Sequence, residues 1–200
     1  MNEQQVLEEF RQAEALLEGH FVLSSGLHSA KYLQCARVLM DAARADRLCS
    51  ALKDKISDYL ASIGISDNIE MVASPAMGGV VVGYEMGRQF KVPSVFFERV
   101  DGELVLRRGF AITPGSRCLM AEDIVTTGLS SRECIKAIEA QGGKVVAASC
   151  LIDRSNGTAD IGVPLISLAK LNVATYTGDN LPPELAALTP EKPGSRNLKS

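Results

Sequence analysis

The chain has little that would draw it to a polyanion, a membrane or a disulfide framework. Its formal net charge is −3, from 21 Lys and Arg against 24 Asp and Glu, so no general basic field exists to hold a nucleic-acid backbone or an anionic bilayer. No uninterrupted apolar run approaches the roughly 18 residues a membrane span needs, and MNEQQVLEEF carries no basic segment followed by an apolar one. A soluble, untargeted protein with neither nucleic acid nor membrane as partner is the expectation. The five cysteines, Cys35, Cys49, Cys118, Cys134 and Cys150, form no CxxC pair and stand mostly in apolar runs, where a free thiol behaves as a small hydrophobe. That usage fits a reducing cytoplasm. The two histidines, His20 and His28, have no cysteine or carboxylate at ligand spacing, which argues against zinc. There is no internal repeat, and no GKS or GKT follows a glycine-rich turn, which argues against ATP hydrolysis by a P-loop.

What is present describes one globular domain: 200 residues, 46% hydrophobic and 22% charged. Val6, Leu7, Phe10, Ala13, Leu16 and Leu17 recur at helical spacing and predict an N-terminal helix stopped at Gly19. GHFVLSSGLHSAKYLQC is too short and turn-rich for a helix and reads as two extended pieces around Ser25 and Gly26. Leu48, Leu52, Ile56, Tyr59, Leu60 and Ile63 predict a helix over 41–63, broken at Gly64. Thereafter short apolar runs (IEMVAS, VPSVFF, RCLMA, GKVVAASCLI, VPLISLA) alternate with helix-like segments at 79–90 and 129–141. Parallel strands with crossover helices, an α/β doubly wound core, follow from that alternation. ERVDGELVLRRGF, polar and rich in arginine, suits a hairpin or mobile flap, because its charges could not be buried unpaired. The polar tail TPEKPGSRNLKS is expected to fray. The divisions are 1–40, an N-terminal helix and cap; 41–175, the α/β core; and 176–200, a C-terminal extension.

The segment RCLMAEDIVTTGLSS places Glu122 and Asp123 at the carboxyl end of an apolar strand, where ligands gather in open α/β sheets. Consecutive residues on a strand point to opposite sides, so the two acids cannot chelate one atom, but they can accept hydrogen bonds from different hydroxyls of one sugar. The turn that follows offers free N–H groups at the start of a helix. Gly128 permits the tight turn, and Thr126, Thr127 and Ser130 add hydroxyls, a match for a monophosphate. The bland alternative is that Asp123 or Thr127 merely caps that helix.

This constellation resembles the 5-phosphoribosyl-1-pyrophosphate (PRPP) motif of the type I phosphoribosyltransferases: an apolar strand, two acids, two further residues, then Thr/Ser-x-Gly and small residues. The resemblance covers roughly residues 10–172. It implies the fold of that family, a central mostly parallel sheet flanked by helices, with a small N-terminal hood and a flexible loop. It also implies that Glu122 and Asp123 hold the ribose diol while Ile124, Val125, Thr126, Thr127, Gly128, Leu129 and Ser130 form the phosphate turn. The turn names the donor, PRPP, and not the acceptor base.

Four further segments bear on the acceptor and the leaving group. GHFVLSSGLHSAKYLQ is similar to the hood of the orotate branch, a G-x-F-x-L-x-S-G-x-x-S pattern matched by Gly19, Phe21, Leu23, Ser25, Gly26 and Ser29, so Ser24, Ser25, Gly26 and Lys31, with Thr126, are expected near the base. LIDRSNG brings Arg154 to the same cleft, where the resemblance implies acceptor binding and a guanidinium fork suits a carboxylate; a plain surface pair with Asp153 is the alternative. SPAMGG resembles the pyrophosphate turn, with Ala76, Met77, Gly78 and Gly79 letting N–H groups approach the leaving group, although the glycines also suit close packing alone. FFERVDGELVLRRGF resembles the flexible loop, which implies a homodimer whose 99–109 segment reaches the neighbouring site with Arg99, Arg107 or Arg108.

The sequence departs from the better-known branch of the family. Ser24, Gly78 and Val100 stand where lysines are found there, and Arg107, Arg108 or Lys31 are candidates for the displaced charge. The reaction implied is displacement of pyrophosphate from the ribose anomeric carbon by a ring nitrogen of orotate. Asp123 would stabilise oxocarbenium character, Glu122 would position the diol, and magnesium would bridge pyrophosphate and ribose oxygens without a dedicated side-chain cluster. A purine or xanthine phosphoribosyltransferase, and a non-catalytic PRPP sensor that binds RNA, remain alternatives. Cys35 is read as small rather than reactive, and His28 as either structural or in contact with substrate.

Overall fold

The computed structural model describes residues 1–23, 26–65 and 68–192. In chain order the elements are α1 (Glu3–Gln12), β1 (Leu16–Val22), β2 (His28–Leu33), α2 (Cys35–Leu39), α3 (Ala42–Ser62), β3 (Met71–Pro75), α4 (Gly79–Phe90), β4 (Ser94–Val100), β5 (Glu103–Leu106), β6 (Arg117–Val125), α5 (Leu129–Ala140), β7 (Lys144–Asp153), β8 (Leu165–Lys170), β9 (Thr175–Tyr176) and α6 (Pro183–Ala186).

The first helix is shorter than its apolar spacing predicts. A capping box between Asn2 and Gln5 starts it, but Glu14 turns the chain at φ 50° and Leu16 and Leu17 enter β1 opposite Leu33 and Tyr32 of β2. Long-range strand pairing overrides a periodicity that two leucines alone cannot settle. The two extended pieces expected around Gly26 are β1 and β2, which with β9 form a three-stranded sheet. The longest helix, α3, begins where expected, with the Asp41 carboxylate accepting from the Arg44 N–H at 3.0 Å. It is fastened to α1 by Glu9, whose carboxylate accepts from Arg44 at 2.8 Å and Arg47 at 3.0 Å.

The main sheet has six strands in the order β5-β4-β3-β6-β7-β8, all parallel except the edge strand β5. Alternation along its strands divides the core in two. Val72, Leu119 and Ala121 face α1, α3 and α4, while Ala73, Cys118 and Met120 face α5. Every residue of β7 after Lys144 is buried, as a strand covered on both faces requires. On α4, Gly79, Gly83 and Gly87 form a stripe that lets the helix approach β3 and β4: a Cβ at Gly83 would stand 2.8 Å from the Ser74 Cβ.

The arginine-rich segment is a hairpin, β4 to β5, closed by Asp101 and Gly102 at positive φ, so it is paired to the sheet along most of its length. The tail is not frayed throughout. Glu191 donates its N–H to His20 O and accepts from the Val22 N–H, both at 2.7 Å, which straps the chain end to the hood sheet. His20 reinforces the strap, with Nδ1 3.0 Å from Leu188 O and Nε2 2.6 Å from His28 Nδ1, so both histidines serve this junction. Residues 193–200 lie outside the described residues.

Candidate active site

Chain direction in the main sheet changes sense between β3 and β6: from β3 the chain continues outward to β4, then returns to β6 on the other side. Loops leaving two adjacent parallel strands in opposite directions open a crevice at their carboxyl ends. The turn 76–78 and the segment 122–128 face each other there. Gly78 is the point of closest approach, since a Cβ on it would stand 2.8 Å from Asp123 Oδ1. Any larger residue would push the carboxylate out of place.

The two acids diverge as strand alternation requires. Glu122 is 7% exposed and turns towards α5, where the Ser130 hydroxyl donates to it at 2.5 Å and the Ser131 hydroxyl donates to its other oxygen. Burial pushes its carboxyl above the ordinary range, the two serine hydroxyls pull it back, and Asp123 adds to the rise. Each of its oxygens thus accepts from one serine hydroxyl of the helix start, and each keeps a further lone pair. Asp123 lies on the other side, near Cys35, and burial also raises its carboxyl, opposed by the Ile124 N–H at 2.9 Å. It does not cap the helix, and Gly128 at the N-cap receives no side-chain cap bond.

The turn after β6, which the resemblance makes a phosphate turn, leads into α5 through Gly128. Thr126, Thr127 and Leu129 are exposed, Ile124 and Ser130 are half-buried, and Val125 and Gly128 are buried. Thr127 Oγ1 accepts weakly from the Leu129 N–H at 3.4 Å, and the first-turn N–H groups of α5 have no helical acceptor. Gly128, at φ 73°, packs so closely that a Cβ would stand 2.7 Å from Ile161 Cγ2. Opposite it, Ala76 donates its N–H to Phe97 O at 2.8 Å, and Gly78 and Gly79 lead into α4.

Arg154 follows β7, with its N–H donated to Val125 O at 2.8 Å. The surface pair with Asp153 is absent, because Asp153 Oδ1 accepts from the N–H and hydroxyl of Ser155, at 2.7 and 2.6 Å. Arg154 Nε is buried and has no hydrogen-bond partner among the described residues. Burial lowers its guanidinium from its ordinary value, with Cys35 and Tyr32 opposing the shift. Arg154 forms no ion pair among the described residues, and its neighbours Tyr32 and Cys35 are neighbours of Asp123 as well.

The other expected cations make contacts of their own within the chain. Lys31 pairs with Glu18 across β1 and β2 at 3.2 Å, and alternation turns it to the face opposite its neighbour Tyr32. Tyr32, which the sequence reading passes over, belongs to the site: burial raises its phenol, with Cys35 and Asp123 adding to the rise and Arg154 opposing it. Arg99 donates to Gly102 O and to Glu133 of α5, and Arg108 pairs with Glu98 at 2.7 Å beneath the Phe96 ring, 5.6 Å away. Arg107 is exposed, with no ion pair among the described residues. Gly26 occupies the hood turn at φ 82°, and Ser24 and Ser25 lie outside the described residues. Arg132 is a second omission of the sequence reading, donating to Thr127 O and Asp160 O.

The buried acids make the pH dependence specific. A carboxyl whose folded value is raised contributes stability that is full below the unfolded carboxylate range and lost as pH rises through the folded value. Asp123→Asn should therefore raise the melting temperature at pH 8 while removing activity, and the difference from the native chain should shrink at pH 4. Differential scanning calorimetry at both pH values checks this, and a gap independent of pH would contradict it.

Comparison with known proteins agrees with this geometry. The family model for the phosphoribosyl transferase domain matches residues 44–174. An orotate phosphoribosyltransferase of Rhizorhabdus wittichii is 60% identical over 98% of this chain and 97% of its own. The crystal structure of the Aeropyrum pernix orotate phosphoribosyltransferase superposes with a TM-score of 0.67 at 25% identity, covering 83% of this chain and 93% of that one. An adenine phosphoribosyltransferase of Thermoanaerobacter pseudethanolicus shares the fold, with a TM-score of 0.54 at 18% identity over 70% of this chain and 88% of that one. The fold alone thus leaves the acceptor base open, whereas the full-length identity does not: the chain belongs to the phosphoribosyltransferases, and among them to the orotate phosphoribosyltransferase family.

Proposed function

We propose that this chain transfers the phosphoribosyl group of PRPP to orotate, giving orotidine 5′-phosphate and pyrophosphate in pyrimidine synthesis, with Asp123 and Arg154 as its two central side chains. The observation that carries the assignment of roles is the unpartnered Nε of Arg154. A buried guanidinium without a carboxylate costs stability, and the 6-carboxylate of orotate offers the bidentate partner it lacks, which neither a purine nor uracil has.

The division of labour follows from placement. N–H groups at the start of α5, with the hydroxyls of Thr126 and Thr127, receive the 5′-phosphate at the positive end of the helix. Asp123 faces the ribose, accepting from its hydroxyls and stabilising positive charge as the anomeric bond to pyrophosphate breaks. Glu122 acts one step back, holding Ser130 and Ser131 and so the start of α5. The N–H groups from Met77 to Gly79 would receive the departing pyrophosphate. Among the described residues no three His, Cys, Asp or Glu side chains gather around one point, and the acids available suit an oxygen-seeking cation carried by the substrate. Magnesium bound to PRPP would neutralise the pyrophosphate charge there.

Two further features belong to the same proposal. Met77, Val81 and Tyr84 are 82%, 47% and 68% exposed on and just before α4, a stripe at helical spacing beside the pyrophosphate turn, and a second copy of the chain covering it makes a homodimer. In that dimer the hairpin arginines, Arg107 above all, would serve the neighbouring site. No helix among the described residues is long and apolar enough to cross a membrane, and the five free, buried thiols suit a reducing cytoplasm.

Pyrophosphate release from PRPP and magnesium should occur with orotate and not with adenine, hypoxanthine, xanthine or uracil. Turnover of a purine would move the chain to another branch, and no turnover with any base would favour a regulator. Arg154→Ala should lower kcat/KM for orotate by about 100- to 1,000-fold, roughly 3 to 4 kcal/mol of transition-state stabilisation. Sedimentation equilibrium should give twice the chain mass, shifting to the monomer in Tyr84→Glu; a monomeric native chain would contradict the dimer.

A further inference from the structure

Arg132 is out of place by local rules. It lies in the first turn of α5, where a cation meets the positive end of the helix dipole. It is exposed and pairs with no carboxylate among the described residues. Its Nη1 instead donates to two backbone carbonyls on different loops, Thr127 O at 3.1 Å and Asp160 O at 2.8 Å. The first belongs to the phosphate turn. The second belongs to the loop that begins with Arg154.

That second loop is internally tied along its length. Asp153 Oδ1 accepts from Ser155, the Thr158 hydroxyl donates to Ser155 O at 2.6 Å, Ala159 donates its N–H to Ser155 Oγ at 3.1 Å, and the Gly162 N–H reaches Asp160 Oδ1 at 3.1 Å. Its far end packs against the phosphate turn, where a Cβ at Gly128 would stand 2.7 Å from Ile161 Cγ2 and 3.3 Å from Ala159 Cβ. Its near end is joined to β6 through the bond from the Arg154 N–H to Val125 O. A shift of the phosphate turn away from Asp160 would therefore move the segment that carries Arg154.

We infer that Arg132 is a positioning residue that locks the phosphate turn to the acceptor loop, making the PRPP and orotate subsites one mechanical unit. The inference rests on the functional reading above and adds a coupling that neither subsite alone requires. Arg132 touches neither reacting atom; it acts through Thr127 and through the loop of Arg154.

Steady-state kinetics with both substrates varied tests this in the native chain, Arg132→Ala and Arg132→Lys, with melting temperatures recorded for each. Arg132→Ala should raise KM for PRPP and for orotate together, each by about tenfold to a hundredfold, with a smaller change in kcat. Arg154→Ala should raise KM for orotate alone. Lysine keeps the charge but carries it on a flexible stem that does not fix a donor between the two carbonyls, so Arg132→Lys should show the same paired rise and carries the test should the alanine variant melt below the assay temperature. An orotate KM unchanged in Arg132→Ala or Arg132→Lys, or full recovery by lysine, would overturn the inference by reducing Arg132 to a charge near the phosphate. A native chain inactive with PRPP and orotate would instead defeat the functional reading, and this inference with it.

Discussion

The structure depends on keeping opposite charges apart in a place where burial favours their pairing. Asp123 and Arg154 stand at the carboxyl ends of the adjacent strands β6 and β7, with Tyr32 and Cys35 under the influence of both and no salt bridge between them among the described residues. Desolvation raises the one carboxyl and lowers the one guanidinium, so the folded chain holds both at a cost. What offsets that cost is the sheet beneath, in which β3, β6 and β7 are buried on both faces. Donors and acceptors fixed in advance in this way need little reorganisation when charge develops during a reaction.

The spacing that holds them apart comes from backbone approach rather than from further side chains. Gly78 leaves room for the Asp123 carboxylate, and Gly128 leaves room for Ile161 beneath the phosphate turn. Cys35, un-ionised because burial pushes its thiol well up, lies near Asp123 without competing for it as a cation would. Glu122 shows the contrasting treatment: two serine hydroxyls satisfy it, and it becomes part of the framework. Neighbouring acids on one strand thus meet two different environments through alternation alone.

Much of this is legible in the chain. The strand runs, the switch to helical spacing at 79–90 and 129–141, and the acid pair before TTG define both the sheet and the crevice, because each depends on local periodicity and turn chemistry. The first helix is misread at Leu16 and Leu17, where pairing with β2 decides, and the tail at Glu191, whose bonds to His20 and Val22 span most of the chain. Lys31 and Tyr32 illustrate the same limit: the sequence points to the charged neighbour, but only the register of β1 with β2 shows that Lys31 pairs with Glu18 while Tyr32 lies on the other face. Arg132 carried a signal that composition alone could have raised, a cation at the start of a helix, though its two carbonyl partners are visible only in three dimensions.

The central claim is that Arg154 is held without a partner in order to receive a carboxylate. The most direct measurement is the side-chain Nε–H resonance of Arg154, observed by ¹⁵N NMR and assigned by its loss in Arg154→Lys, with orotate or uracil added to the chain in the presence of magnesium and ribose 5-phosphate. Orotate should shift this resonance downfield as a charge-assisted hydrogen bond forms, and uracil should leave it nearly unmoved. An Arg154 resonance indifferent to orotate, or moved equally by uracil, would contradict the account.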